Sequence, residues 1–297
     1  MASFAQWVEG ARLRTLPLAV APVVIGTAAA YEISAASGTP TVFWGRALLA
    51  ALVSLALQVG VNYANDYSDG IRGTDDVRVG PLRLTASGVT TPGAVKRAAF
   101  LSFGVAAIAG LALVAISGLW WAILVGVVCI LAAWGYTGGK KPYGYMGLGD
   151  VMVFIFFGLV ATLGTTFSQA YQLSAPAWVG ACSIGLISTS VLMANNIRDI
   201  PTDREVGKMT LAVRLGETNA RRAFVVMLFV AVLLPVVLVG SHPWLSLTAL
   251  AALLCFKPSK AVLSPSLDRR TLIPVLKTTG IIGLVFAALF AVGAVLS

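Results

Sequence analysis

The chain is short of charge. Only 11% of its 297 residues are Asp, Glu, Lys or Arg, while 58% are hydrophobic. An ordinary soluble domain is about a quarter charged, and one of this size could not keep so much apolar surface from water. A large α/β enzyme with buried strands reads as short apolar runs broken by polar turns. Here the runs approach the roughly twenty residues that a membrane span requires, and they recur from end to end.

Other shortages exclude chemistries. Histidine occurs once, as His242, so zinc and iron sites are disfavoured. The three cysteines, Cys129, Cys182 and Cys255, lie inside apolar runs without metal-ligand spacing and read as small buried hydrophobes. Gly207-Lys208 is followed by Met209 and lacks the upstream glycine of a phosphate loop. The net charge of +9 does not form a basic patch interleaved with aromatics. The cations sit between apolar runs, as topology signals do, so nucleic acid is not the expected partner.

What is present is a polytopic all-α pattern. Nine spans are predicted, at 15–34, 43–64, 95–116, 119–137, 150–170, 176–196, 222–240, 243–256 and 275–296, the eighth being short. Arg12 and Arg14 before the first apolar run, and Ala28-Ala29-Ala30 at its end, resemble a signal peptide in part, but an uncleaved first span is the preferred reading. With nine spans, every Lys and Arg except Arg46 falls on one side, which the positive-inside rule makes cytoplasmic. All acids except Glu32 share that side, which the rule does not require. The outer loops 117–118, 171–175 and 241–242 are too short for an extracellular domain. The long loops, 65–94 and 197–221, are cytoplasmic.

Two polar clusters mark the ends of spans two and six. In the first, Asn62, Asp66 and Asp69 share a helix face, with Asn65 beside them and Asp75-Asp76 beyond. In the second, Asn195, Asp199 and Asp203 share a face at steps of four. The clusters are near-copies four spans apart, which points to a pseudo-repeat of spans 1–4 and 5–8 within a single domain. A charge buried at mid-membrane costs about 2.5–3.5 kcal/mol, so matched acidic clusters beside spans call for a function. Carboxylates on facing helix ends suit Mg²⁺, which takes one or two of them together with substrate phosphate oxygens. Arg72, Arg78, Arg83, Arg198, Arg204, Lys208 and Arg214 lie near the acids, where they could hold further phosphate oxygens or serve as topology charges. A third region, Tyr136 to Asp150, is rich in glycine and tyrosine and contains Lys141, Tyr143 and Tyr145. Its tyrosines offer hydroxyls and π-faces, or an interfacial aromatic belt.

These residues together resemble the UbiA superfamily of intramembrane prenyltransferases, along the whole chain. The finer resemblance is to the branch that prenylates 1,4-dihydroxy-2-naphthoate in menaquinone biosynthesis. It is carried by the run from Asn62 to Arg83, by Tyr136-Thr137-Gly138-Gly139 with Pro142 to Tyr145, by Gly207 to Leu211, and by Arg12 to Pro17. Asp66 and Asp69 are three apart where four is common in the hydroxybenzoate branch. The resemblance implies nine helices, with Mg²⁺ held by Asp66, Asp69, Asp199 and Asp203. It implies a polyprenyl diphosphate donor, bound with help from Lys208, Arg72, Arg83 and Arg198, and a naphthoate acceptor. Tyr143 is expected at the reacting centre. Asn62, Asn65, Tyr136, Lys141, Tyr145 and Asn195 are expected around the substrates. Two other readings stay open: a different aromatic acceptor such as 4-hydroxybenzoate, and a transporter built on the apparent repeat.

Overall fold

The computed structural model describes residues 2–74, 82–264, 266 and 268–297. Asp75, Asp76, Arg78 and Gly80-Pro81, singled out above, lie outside the described residues. Among the described residues the chain is helical with no strand. A short helix α1 (Phe4–Gly10) is followed by α2 (Pro17–Ala36), α3 (Trp44–Ile71), α4 (Pro92–Ser117) and α5 (Ala122–Gly135). Then come α6 (Gly149–Ala170), α7 (Ala175–Glu205), α8 (Leu211–Leu238), α9 (Pro243–Leu263) and α10 (Arg269–Leu296).

Eight of these helices are long and apolar enough to cross a membrane. Where the fourth of nine spans is expected, α5 has 14 residues, or about 21 Å at the α-helical rise. Its two ends nevertheless sit at opposite poles of the bundle. It starts just after Ser117, whose carbonyl accepts from Tyr171 at the end of α6. It ends just before Thr137, whose hydroxyl donates to Asn65 on α3 at 2.7 Å. The eighth span is longer than its hydropathy suggests. The first part of α9, Pro243–Ala251, is wound as a 3-10 helix, which rises about 2.0 Å per residue.

The two longest departures from the expected boundaries matter most. Spans expected to end at 64 and 196 continue as helix to Ile71 and Glu205. Hydropathy stops where polar residues begin, but the backbone does not, because those polar side chains find partners inside the protein. Both polar clusters therefore ride on rigid helix.

The apolar core has two parts. One is built from α2, α7, α8, α9 and α10 around Ile25, Ile184, Phe224, Phe286 and Phe290. The other gathers Ala11, Tyr63, Leu84, Phe103 and Ala133, with Trp7 and Trp134 against it. Small residues set the close crossings. A Cβ on Gly158 of α6 would lie 2.5 Å from the Cα of Gly185 on α7, so the two backbones touch there, within a π-helical stretch at Phe154–Val160.

The pole opposite the polar clusters holds the two exceptions in the charge pattern. Arg46 donates to the carbonyls of Ser168 and Ile116, at 2.8 and 3.0 Å, between the rings of Phe43 and Tyr171. Glu32 meets the lone histidine, His242, at 3.2 Å. Arg46 ties α3 to α4 and α6, and Glu32 ties α2 to the turn before α9.

Candidate active site

The two polar clusters meet at one pole. Asp69 from α3 and Asp203 from α7 lie 4.0 and 3.6 Å from the Nζ of Lys208. One cation thus touches a carboxylate from each cluster. Lys208 is aimed by the turn that ends α7, where its backbone N–H donates to Asp203 at 2.7 Å. Beneath it lies the Tyr145 ring, 5.1 Å away. The Tyr145 hydroxyl donates to Asp69 at 2.9 Å and is 2.9 Å from the hydroxyl of Thr74. Tyr145 also carries Arg72 over its ring, and Arg72 donates to the carbonyls of Thr137 and Gly139. These contacts pin the glycine- and tyrosine-rich loop across the end of α3.

The other two expected metal ligands have different partners. Asp66 is 1% exposed and accepts from the backbone N–H groups of Leu84 and Thr85, both at 2.8 Å. It closes the long loop back onto α3. Asp199 pairs with its neighbour Arg198 through two bonds of 2.7 and 2.8 Å, and Arg198 also reaches Asn195 at 2.7 Å. Among the described residues no group of three or more His, Cys, Asp or Glu converges as a ready metal cage. Among the described residues, the four carboxylates that the resemblance assigns to metal thus have different partners. One motif acid is spent on the loop and one on an arginine, while Asp69 and Asp203 converge on a single cation. That point suits a hard divalent ion, because each carboxylate offers about four lone-pair sites.

The remaining expected residues separate into wall and support. Asn62 donates to the Ala11 carbonyl and the Thr15 hydroxyl at 2.9 and 3.1 Å, while Gln58 donates to it. Asn65 accepts from Thr137. Both amides hold neighbouring segments in place. Lys141 is exposed and is not drawn into the cluster. Tyr143 donates to the Ala132 carbonyl at 2.9 Å, and its ring faces Tyr136 at 5.5 Å. Burial raises the phenol pKa of Tyr136, Tyr143 and Tyr145, and nearby carboxylates raise Tyr136 and Tyr145 further.

A cavity of about 1210 Å³ opens beside the cluster. Its polar end includes Asn62, Arg83, Tyr136, Tyr143, Asn195 and Arg198. From there it runs between the helices to Phe167, Leu173 and Trp178 near the far pole. Its side walls are almost wholly apolar, with Ile123, Val127 and Ile130 on α5 facing Phe156, Val160 and Gly164 on α6. Exposed Ile123 and Val127 stand at its edge, so the cavity opens sideways between α5 and α6. The geometry couples a cation-gathering acidic point to a long greasy slot.

Residues 19–274 match the UbiA prenyltransferase family. The chain belongs to that family. Among its relatives, 1,4-dihydroxy-2-naphthoate octaprenyltransferase from Mycobacterium tuberculosis is 52% identical over 290 residues, covering 97% of this chain and 96% of the relative. The protein of the same description from Escherichia coli is 44% identical over 222 residues, covering 73% and 70%. A UbiA homolog from Archaeoglobus fulgidus, solved with GPP and Mg²⁺ bound, superposes with a TM-score of 0.69 at 13% identity, over 98% of this chain and 100% of that one. The expected all-helical fold and superfamily are thus borne out.

Spacing did not reveal the N-terminal segment. Helix α1 and the turn after it form a strap over the cavity mouth. The Trp7 carbonyl accepts from Tyr63 at 2.8 Å, Glu9 accepts from the Leu82 N–H, and Asn62 holds Ala11 and Thr15. The motif-like run Arg12 to Pro17 was the available signal. Nothing in its local pattern says that it folds onto α3.

Proposed function

We propose that this protein transfers a polyprenyl group from polyprenyl diphosphate to 1,4-dihydroxy-2-naphthoate, releasing diphosphate and carbon dioxide and giving demethylmenaquinol, the reduced form of demethylmenaquinone. The observation that carries the reading is the meeting of Asp69 and Asp203 at Lys208, beside an apolar cavity of about 1210 Å³. The acceptor is supported by the two naphthoate octaprenyltransferase relatives. The positive-inside pattern supports a reading in which this pole faces the cytoplasm.

Asp69 and Asp203 would hold Mg²⁺, with Asp66 and Asp199 organising the segments around them. When bound, Mg²⁺ neutralises the charge that develops on the departing diphosphate. Lys208 donates to diphosphate oxygens and holds that charge as the allylic C–O bond lengthens. Arg83 and Arg198 face the cavity end, where they serve the same anion. The isoprenoid tail lies in the slot between α5 and α6 and continues into lipid. Tyr136 and Tyr143 line the cavity, where π-density would stabilise an allylic cation and the apolar wall excludes water. The electron-rich ring carbon of the naphthoate attacks the allylic carbon. A ring–carbon bond forms as the C–O bond to diphosphate breaks, and the carboxylate then leaves as carbon dioxide.

The test is product formation in liposomes. Purified protein is given Mg²⁺, one polyprenyl diphosphate, and in turn the naphthoate, 4-hydroxybenzoate and homogentisate, with products weighed by mass spectrometry. A prenylated, decarboxylated naphthoate is expected. Product from 4-hydroxybenzoate alone would reject the acceptor. Counterflow of a solute with no product from any acceptor would favour a transporter.

A further inference from the structure

Arg12 stands in a conformation that arginine avoids. Its backbone is left-handed, at φ 56° and ψ 60°, a region that costs a non-glycine residue energy and that persists where the surroundings over-determine it. The surroundings here are specific. Its carbonyl accepts from both the N–H and the hydroxyl of Thr15, each at 2.9 Å. The flanking Ala11 carbonyl is held by Asn62. Gly10, two residues back, packs so tightly that a Cβ there would lie 2.7 Å from Leu84. The strap is fastened on both sides of Arg12.

What the strain achieves is the placement of the side chain. Arg12 lines the cavity, and among the described residues its Nη2 is buried without a hydrogen-bond partner. A buried guanidinium nitrogen left unpaired is costly, so a ligand that supplies an acceptor gains what the empty site forgoes. The charge of the wall points the same way. Among the described residues, Glu9 is the only acid lining the cavity, against Arg12, Arg14, Arg83 and Arg198. Glu9 is engaged by the Leu82 N–H, and Arg198 is engaged by Asp199 and Asn195.

Position separates Arg12 from the acidic point and its lysine. Asp66, Asp69, Asp203 and Lys208 are not part of the cavity wall, whereas Arg12 is. The strap bonds at Asn62, one helical turn before Asp66. An anion bound at Arg12 is thus offset from one bound at Lys208.

We propose that Arg12 is the specificity-determining residue for the acceptor: it binds the carboxylate of the aromatic acid through its planar fork. This rests on the prenyltransferase reading above. No bond is made or broken at Arg12; it acts when the acceptor binds. The same chemistry could serve a diphosphate oxygen, and the experiment separates the two.

Arg12→Gly removes the fork and relieves the left-handed strain, so its Tm should equal or exceed that of wild type. Equilibrium binding of 1,4-dihydroxy-2-naphthoate to protein in nanodiscs, without donor or metal, should weaken roughly 10- to 100-fold, the range for a charged hydrogen bond. Binding of the same dihydroxynaphthalene lacking its carboxylate should not change. In turnover, the KM for the acceptor should rise while the KM for the prenyl diphosphate stays within about twofold. Arg12→Lys should recover part of the loss, since it restores charge without the fork. A fall in Tm for Arg12→Gly, equal weakening of both acceptors, or a rise confined to the donor KM would each overturn the proposal. Wild type that makes no prenylated naphthoate would instead overturn the activity, a result read before any variant is compared.

Discussion

Lys208 Nζ and Asp203 Oδ1 stand 3.6 Å apart, and the same ammonium is 4.0 Å from Asp69. Among the described residues this ammonium joins two helix ends that each carry an acid. Removing it takes a cation from two buried carboxylates, which costs about 3 kcal/mol or more in comparable pairs. Lys208→Gln is therefore expected to lower thermal stability in metal-free buffer. Added Mg²⁺ should raise its Tm by more than it raises that of wild type, because the ion takes over the bridging role. Equal Mg²⁺ shifts in the two proteins, measured by thermal unfolding in detergent, would speak against a shared cation point.

Asp66 and Asp69 are three residues apart yet have separate duties. Asp66 accepts from the N–H groups of Leu84 and Thr85, whereas Asp69 accepts from Tyr145 and faces Lys208. Asp66→Asn presents an amide donor to one of those N–H groups. It should speed hydrogen exchange at Leu84 and Thr85 and also cut activity. Asp69→Asn should cut prenyl transfer by about 100-fold or more, the scale of losing one preorganised electrostatic group, and leave exchange at 84–85 near wild type. Matching exchange profiles for the two variants would refute the division.

The pH dependence has a definite sign. Burial raises the phenol pKa of Tyr136, Tyr143 and Tyr145 above the usual 10.0. The folded state then holds protons that the unfolded state gives up. These groups contribute fully below pH 10, and their contribution is lost as pH rises further. No tyrosine limb should appear in the rate profile below about pH 10. Above it, phenolate absorbance at 295 nm should develop together with unfolding. Phenolate signal that rises several tenths of a unit before any loss of structure would contradict the burial.

Gly158 and Gly185 set the crossing of α6 and α7. Gly158→Ala forces a methyl group to within 2.5 Å of backbone and should destabilise by about 1–3 kcal/mol, the usual cost of overpacking. Gly104→Ala on α4 meets nothing within 4 Å and should be neutral or slightly stabilising, since alanine is the better helix former. The comparison is read from unfolding midpoints under identical detergent conditions.

The spans and the two acidic faces were legible because both are local periodicities. Apolar runs report burial in lipid, and steps of three and four put Asp66 and Asp69, or Asp199 and Asp203, on shared faces. The continuation of α3 and α7 through those faces was not legible, since polar residues there are stabilised by partners far away in sequence. Asp66 answers to Leu84 and Thr85, and Asn62 to Ala11. Asp199 shows a second kind of contact. The resemblance assigns it to the metal ligands, and the adjacent Arg198 bonds the same oxygens, which helical spacing alone does not reveal. The role of the strap was hidden for the same reason as the loop closure: a short amphipathic stretch carries no mark of where it will dock.

Gly164 offers a test of where the tail lies. It is on α6, lines the cavity one turn before Phe167, and a Cβ there meets nothing within 4 Å. Gly164→Phe should therefore fold, because the added ring projects into open space rather than into packed core. It should also obstruct the slot beyond the first few isoprene units. With geranyl diphosphate as donor, kcat/KM is expected to stay within about threefold of wild type. With a long polyprenyl diphosphate it should fall by at least tenfold, a barrier increment of about 1.4 kcal/mol. The dissociation of the two donors is the informative result. An equal loss with both would mean that the ring disturbs the reacting centre. An unchanged rate with the long donor would mean that the tail leaves the cavity before reaching α6, through the gap beside α5.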